Sequence, residues 1–196
     1  MSSESLKEKW IKEQTELAEK IRLEDPPALL DKLAAGTLLV GGLDISFSRV
    51  QSDVAVATLT VVELSTLKLV HHQSLEVCLT IPYIPTFLGY RELEPFTRLV
   101  TQVRSHNPQY MPDVFMIDGN GTLHPRRFGS ACQFGLTVEM PCLGVAKNLL
   151  DMSEDCEPRV SRARLTEQQQ TMLNQVGDRV PIYDATGMIT GVAWAT

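Results

Sequence analysis

Two aspartates stand where an aspartate is costly. Asp44 lies inside the apolar run TLLVGGLDISF (37–47), and Asp118 closes the run VFMI immediately before Gly119-Asn120-Gly121. A carboxylate taken out of water must be paired, protonated or bound to a metal, because its desolvation costs several kcal/mol. Each also has a bland reading as a satisfied cap or turn residue. That reading is strong for Asp118, since Asp-Gly is a common turn dipeptide, and weaker for Asp44, since aspartate is depleted in strands. Taken jointly they point to chemistry. If their strands are neighbours in a parallel or mixed sheet, both carboxylates can converge on one hard cation such as Mg²⁺, which prefers oxygen ligands. A third acid is then expected nearby, and Glu92 is the candidate. Tyr90-Arg91-Glu92 falls in the first turns of a helix beginning after Pro85, where the helix dipole favours an anion. Read alone, Glu92 is a solvated surface glutamate.

Other polar groups surround Asp118. Gly119, Asn120 and Gly121 form a loop whose backbone N–H groups can face a ligand, and His124-Pro125-Arg126-Arg127 adds a titratable base and two guanidiniums. Arginines suit phosphate oxygens, although surface charge is the simpler reading of Arg126 and Arg127 alone. Lys147 follows the apolar run LGVA directly. That puts an ammonium at the C-terminal end of a strand, where open α/β sheets carry their ligand sites.

The elements that must position these groups follow from periodicity. Leu6, Trp10, Leu17 and Ile21 recur at spacings of 4, 7 and 4, which predicts a helix to about Leu23, stopped by Asp25-Pro26-Pro27. Residues 37–47, 54–63 and 67–79 read as three strands, the last two joined by a hairpin at Ser65-Thr66. Phe87, Leu88, Leu93, Phe96, Leu99, Val100 and Val103 keep helical spacing up to Ser105, before Asn107-Pro108. Val114–Ile117 and Leu143–Ala146 are continuous apolar runs that suit interior parallel strands with a helix between them. A short helix over 166–176 and two strands, 180–183 and 188–194, around Asp184-Ala185-Thr186-Gly187 complete the chain. The order β-β-β-α-β-α-β predicts an α/β mixed sheet, three antiparallel strands followed by parallel ones, flanked by helices.

Composition bounds the answer from outside. The chain of 196 residues is sized for one domain with a sizeable core. Its 43% hydrophobic and 21% charged content excludes collagen-like, disordered and mucin-like classes. The uncharged stretch 34–43 is far shorter than the roughly 20 apolar residues of a bilayer span, so no membrane partner is expected. Residues 1–20 alternate Lys and Glu with no apolar core of a signal sequence, so the expected compartment is the cytosol or the nucleus, the nucleolus included. Cys78, Cys132, Cys142 and Cys156 form no C-x-x-C pair, which leaves a zinc site or disulfide framework without support. A net charge of −6 argues against a generic nucleic-acid coat but leaves room for a local basic cleft.

Five segments in order carry a resemblance: GLDISF (42–47), PYIP (82–85), YRE (90–92), DGNGTLHPRRFG (118–129) and GVAKNLL (144–150). Together they resemble endonuclease V over roughly residues 14–194. The resemblance implies a ribonuclease H-like fold and Mg²⁺-dependent hydrolysis, with Mn²⁺ able to substitute, of a phosphodiester on the 3′ side of inosine. Inosine-containing single-stranded RNA is the favoured substrate and deoxyinosine-containing DNA the secondary one. It implies Asp44, Asp118 and Glu92 as metal-binding catalytic acids and Lys147 as a cation near the cleaved phosphate. For the substrate it implies Pro82, Tyr83, Ile84, Pro85 and Leu88, with Tyr83 as a wedge, and Gly119, Asn120, Gly121, His124 and Arg126. The residue types suit that chemistry independently. A carboxylate-held cation can activate water and neutralise a leaving oxyanion. An inserted tyrosine can fill the gap left by an unstacked base. Hypoxanthine's N1–H distinguishes it from adenine, and its lack of a 2-amino group distinguishes it from guanine.

Two departures from the family pattern stand out. Thr86 follows PYIP where the family commonly has glycine, predicting a stiffer hinge. After GVAWAT the family continues with a strand and a helix bearing a histidine and an acidic residue, so the 196 residues are expected to form a single catalytic domain lacking that segment. The expectation that follows is a chain that keeps the metal acids yet cleaves poorly. Two rivals therefore stand beside the nuclease: a catalytically impaired inosine-binding module, and a different ribonuclease H-like nuclease such as a junction resolvase.

Overall fold

The computed structural model describes residues 3–51, 53–147, 172–183 and 187–195. The three early strands are β1 (Leu39–Phe47), β2 (Val54–Glu63) and β3 (Lys68–Cys78), paired antiparallel in sequence order. Two later strands, β4 (Val114–Asp118) and β5 (Cys142–Val145), join in parallel on the far side of β1, giving the sheet order β3-β2-β1-β4-β5. The predicted mixed sheet and its order of elements are thus observed. β1 can sit at the centre because it carries Gly41, where a Cβ would press into Pro112 and Phe115. Asp113 fixes the entry to this strand pair: its carboxylate accepts the Leu39 N–H at 3.0 Å and pairs with Lys32 at 2.5 Å.

Helices α1 (Ser3–Ala18) and α2 (Pro27–Ala35) precede the sheet; α3 (Leu88–His106) joins β3 to β4, and α4 (Ser130–Val138) joins β4 to β5. The first helix ends five residues short of the expected Leu23, and the proline pair that was to stop it instead starts α2. Pro26 is the N-cap and Pro27 the first helical residue, a position where the missing N–H costs nothing. Gly36, at φ 69°, closes α2 with N–H bonds to the carbonyls behind it.

α3 and α4 pack on one face of the sheet. There Leu43, Ile45, Ala57, Leu59, Val61, Phe115 and Ile117 meet Phe96, Leu99, Val100, Val103 and Phe134, all buried. Phe134 sits edge-on to both Phe96 and Phe115, with centroids 6.0 and 5.3 Å apart. The opposite face is open among the described residues: Val56, Met116, Leu143 and Val145 are exposed there. That corrects the expectation of parallel strands buried on both sides, because the described helices cover only one side. A separate hairpin, β6 (Arg179–Tyr183) and β7 (Ile189–Trp194), docks on the loop after β4, where Thr122 Oγ1 donates to the Thr190 carbonyl at 3.0 Å. Of the helix expected over 166–176, residues 166–171 lie outside the described residues, as do 148–150 of the GVAKNLL segment, Cys156 and residues 184–186. Among 172–176 only Met172 is helical, because the N–H groups of Asn174 and Gln175 donate to the Asp178 carboxylate at 2.8 and 3.0 Å. No helix among the described residues is long and apolar enough to cross a membrane.

Candidate active site

The acids meet at one end of the sheet. Leu43 and Ile117 are the last paired residues of the parallel strands β1 and β4, so Asp44 and Asp118 follow side by side where the two strands part, Asp118 ending β4 and Asp44 still paired with Thr58 of β2. Side chains alternate along a strand. Leu43 and Ile117 are buried beneath the helices, hence Asp44 and Asp118 turn to the open face, and both are exposed. This reverses one expectation: both aspartates are exposed, not buried. The costly acid is Glu92, expected to be solvated when read alone. It is 7% exposed, and its Oε2 is buried with no hydrogen-bond partner. Burial first, then the charges of Asp118 and Asp44, push its carboxyl up to about 8, with Arg91 opposing. Arg91 itself lies over the Phe47 ring at the end of β1, 5.0 Å from the centroid.

An orphaned buried carboxylate oxygen, coupled electrostatically to two further carboxylates, is a donor set suited to a hard divalent cation. Among the described residues no three His, Cys, Asp or Glu side chains are already drawn close enough to hold one. Glu92, Asp44 and Asp118 therefore feel one another's charge without closing round a common point. Lys147 stands at the same end of the sheet: Asp118 pairs with Val145, and exposed Lys147 follows two residues later, in a bend.

The loop after Asp118 is folded tightly onto its own chain. Gly119 is at φ 144°, a conformation that strains any other residue, and its N–H donates to the Val145 carbonyl at 2.9 Å. That amide is therefore not the ligand donor expected of it. Asn120 and Gly121 direct their carbonyls to the N–H groups of Ala131 and Gly129, at 3.1 and 3.0 Å. The backbone of this loop closely approaches Gly144, where a Cβ would run into residues 119–121. A Cβ at Gly121 would meet only the Gly144 nitrogen among the described atoms, at 3.8 Å.

The PYIP segment forms an exposed turn closed by the Phe87 N–H on the Ile84 carbonyl, 3.0 Å. Pro82, Pro85 and Tyr83 are exposed, Tyr83 by 62%, while Ile84 and Leu88, the first residue of α3, are half-buried. Thr86 sits at φ 69°, so the position where glycine was the family's habit does adopt a left-handed backbone. Three side chains donate to its carbonyl: Gln14 Nε2 at 3.2 Å, His124 Nε2 at 2.9 Å and Arg126 Nη2 at 3.1 Å.

His124 and Arg126 are thus not what their types suggested. His124 is buried, its Nε2–H committed to Thr86 and its Nδ1 accepting the Arg126 N–H at 3.3 Å. Burial pulls its imidazole down to about 4, so it stays neutral and is no base near neutral pH. Arg126 turns inward to Gln14, Thr86 and the Phe87 ring, 4.5 Å from its centroid, instead of reaching outward for phosphate. Gln14 went unread in the sequence. It is 2% exposed, and its one signal was a polar residue on the stripe set by Trp10 and Leu17.

A mixed five-stranded sheet in this order, with one acid in β1, one ending β4 and a third on the helix that leads into β4, defines the ribonuclease H-like class of α/β proteins. The family profile described as Endonuclease V matches residues 15–196, and the chain belongs to the endonuclease V family. Human endonuclease V is 36% identical over 185 residues, covering 94% of this chain and 64% of the human protein. The chain spans 53% of the mouse relative, which is also 36% identical. The catalytic domain of human endonuclease V superposes with a TM-score of 0.86 at 35% identity, covering 99% of this chain and 77% of that one. Endonuclease V of Ciona intestinalis, solved with a 23mer DNA containing an inosine followed by a ribo-adenosine, gives 0.88 at 30% identity, covering 100% and 78%.

Proposed function

We propose that this chain is a metal-dependent endonuclease that recognises inosine in nucleic acid and hydrolyses a phosphodiester on its 3′ side. The observation that carries the reading is Glu92: a carboxyl group whose Oε2 is buried without a hydrogen-bond partner, under the charge of Asp118 and Asp44, is a poor structural choice and a good ligand. Asp44, Asp118 and Glu92 would hold Mg²⁺, with Mn²⁺ as substitute. When bound, such an ion lowers the pKa of water and offsets charge developing on the phosphate. The chain's own residues do the rest. Lys147 brings a positive charge to the same end of the sheet, Tyr83 stands exposed to fill a gap in the base stack, and the 119–121 loop offers a rigid backbone wall for a base.

RNA is the favoured substrate and DNA the secondary one. Support comes from the Ciona relative, whose bound strand has a ribonucleotide directly after inosine. A second reading, an inosine-binding module that cleaves poorly, has one observation in its favour: the described acids do not close round a common point. The two readings separate when 5′-labelled single strands carrying inosine, adenosine or guanosine are incubated with Mg²⁺, Mn²⁺ or EDTA. Metal-dependent cutting confined to inosine strands supports the nuclease. Inosine-selective binding without cutting supports the module, and indifference to inosine refutes both.

A further inference from the structure

Gln14 is the hub of a buried polar clamp that ties together three parts of the chain far apart in sequence. Its Nε2 donates to the Thr86 carbonyl at 3.2 Å and to the Phe128 carbonyl at 3.3 Å, and its Oε1 accepts from Arg126 Nε at 2.6 Å. Arg126 Nη2 continues to the Thr86 carbonyl and hydroxyl, 3.1 and 2.7 Å, and His124 adds its Nε2–H to the same carbonyl. The clamp thus joins α1, the end of the PYIP turn and the 124–128 loop. Aromatic packing surrounds it: Trp10 stacks on Tyr90 with centroids 4.5 Å apart and lies 5.5 Å from Phe87, itself under the Arg126 guanidinium.

The placement matters more than the bonds. A buried amide whose two N–H donors and carbonyl oxygen are all engaged fixes one relative position of the groups it joins, because a slip leaves a polar atom unpaired. The groups joined here are the hinge of the turn bearing exposed Tyr83 and the loop running on from Gly119-Asn120-Gly121. No clamp residue is one of the three acids. Thr86, held at φ 69°, can keep that unfavoured backbone because its carbonyl and hydroxyl are both engaged.

Resting on the inosine-specific reading above, we infer that Gln14, with Thr86 and Arg126, is a positioning residue for base selectivity: the clamp sets the distance between the Tyr83 turn and the 119–121 loop, and thereby how well inosine is told from adenosine. Hydrolysis itself is left to the acids. The signature is a split between KM and kcat.

The test compares the chain with Gln14→Met, which keeps the buried volume and removes the hydrogen bonds. Two further variants act at the hinge: Thr86→Gly, whose backbone suits the observed φ, and Thr86→Ser, which keeps the hydroxyl. Lys12→Gln, on the exposed side of α1, is the control. Each is first checked for folding by circular dichroism and then assayed on inosine and adenosine single strands with Mn²⁺. Gln14→Met and Thr86→Gly are expected to raise KM for the inosine strand and to lower the inosine-to-adenosine ratio of kcat/KM by roughly tenfold. Saturating kcat should hold, and Thr86→Ser and Lys12→Gln should match the parent chain. If Gln14→Met does not fold, Thr86→Gly decides alone. A folded variant with unchanged selectivity, or a loss carried by kcat, overturns the inference. A parent chain that does not prefer inosine instead overturns the underlying function, and the two failures are thereby told apart.

Discussion

Replacing Glu92 with glutamine should make the metal-free protein more stable and less dependent on pH. In the fold the Glu92 carboxyl is raised from 4.5 to about 8, so between these values the native state keeps a proton that the unfolded chain releases. Stability contributed by this group is therefore full below pH 4.5 and is lost as pH rises toward 8. At about 1.4 kcal/mol per pH unit the whole loss is on the order of 5 kcal/mol. His124 works in the opposite sense. Its imidazole is lowered from 6.5 to about 4, so its contribution is present above 6.5 and disappears as the pH falls through that interval. The two slopes oppose one another between 4.5 and 6.5, and the clean window for Glu92 lies between 6.5 and 8. There the parent chain should lose about 2 kcal/mol. Glu92→Gln, an amide that never ionises, should lose almost none and should be the more stable protein at pH 8. Urea unfolding in EDTA at several pH values across that window reads both curves. Parallel curves, with no extra slope in the parent, would refute the claim that Glu92 is buried against the two aspartates.

Further outcomes follow from the same geometry. Asp44→Asn and Asp118→Asn should each lower cleavage of an inosine strand by about 10²–10³-fold or more while leaving inosine binding in EDTA intact, measured by fluorescence anisotropy. Lys147→Ala should reduce kcat by about 10²-fold with little change in KM, and Lys147→Arg should restore part of it, as single-turnover rates will show. Tyr83→Ala should cost about 1–3 kcal/mol of binding to inosine strands and leave the urea midpoint unmoved, because the ring is 62% exposed. Gly144→Ala should lower stability by about 1–3 kcal/mol, since its Cβ runs into the 119–121 backbone; an unchanged midpoint contradicts the packing of that loop.

Much of the fold was legible because the sheet's strands repeat with period two and α3 with period 3.6. β2 falls where 54–63 predicted it, Asp44 falls inside β1, and Asp118 ends β4, as their apolar runs required. What was not legible is informative. The aspartates were read as buried because their neighbours are apolar, yet alternation along β1 and β4 turns them to an open face. Glu92 reads as an ordinary surface residue of an amphipathic helix; its burial in the fold, and then the approach of two other carboxylates from distant strands, make it unusual. His124 and Arg126 looked like a base and a phosphate hand. Their partners, Gln14 and Thr86, lie 38 to 112 residues away and cannot be paired by local pattern. The Pro26-Pro27 pair was read as a stop for one helix, when the same fixed φ serves equally well to start the next.

The measurement that tests the central claim most directly is cleavage of 5′-labelled RNA by the parent chain and by Asp44→Ala. The strands carry inosine, adenosine or guanosine at one position, and each is assayed with Mg²⁺, Mn²⁺ or EDTA. The account predicts a single product, cut on the 3′ side of inosine, formed with either metal and absent with EDTA or with Asp44→Ala. Cutting that ignores the base, or that persists in EDTA, contradicts it.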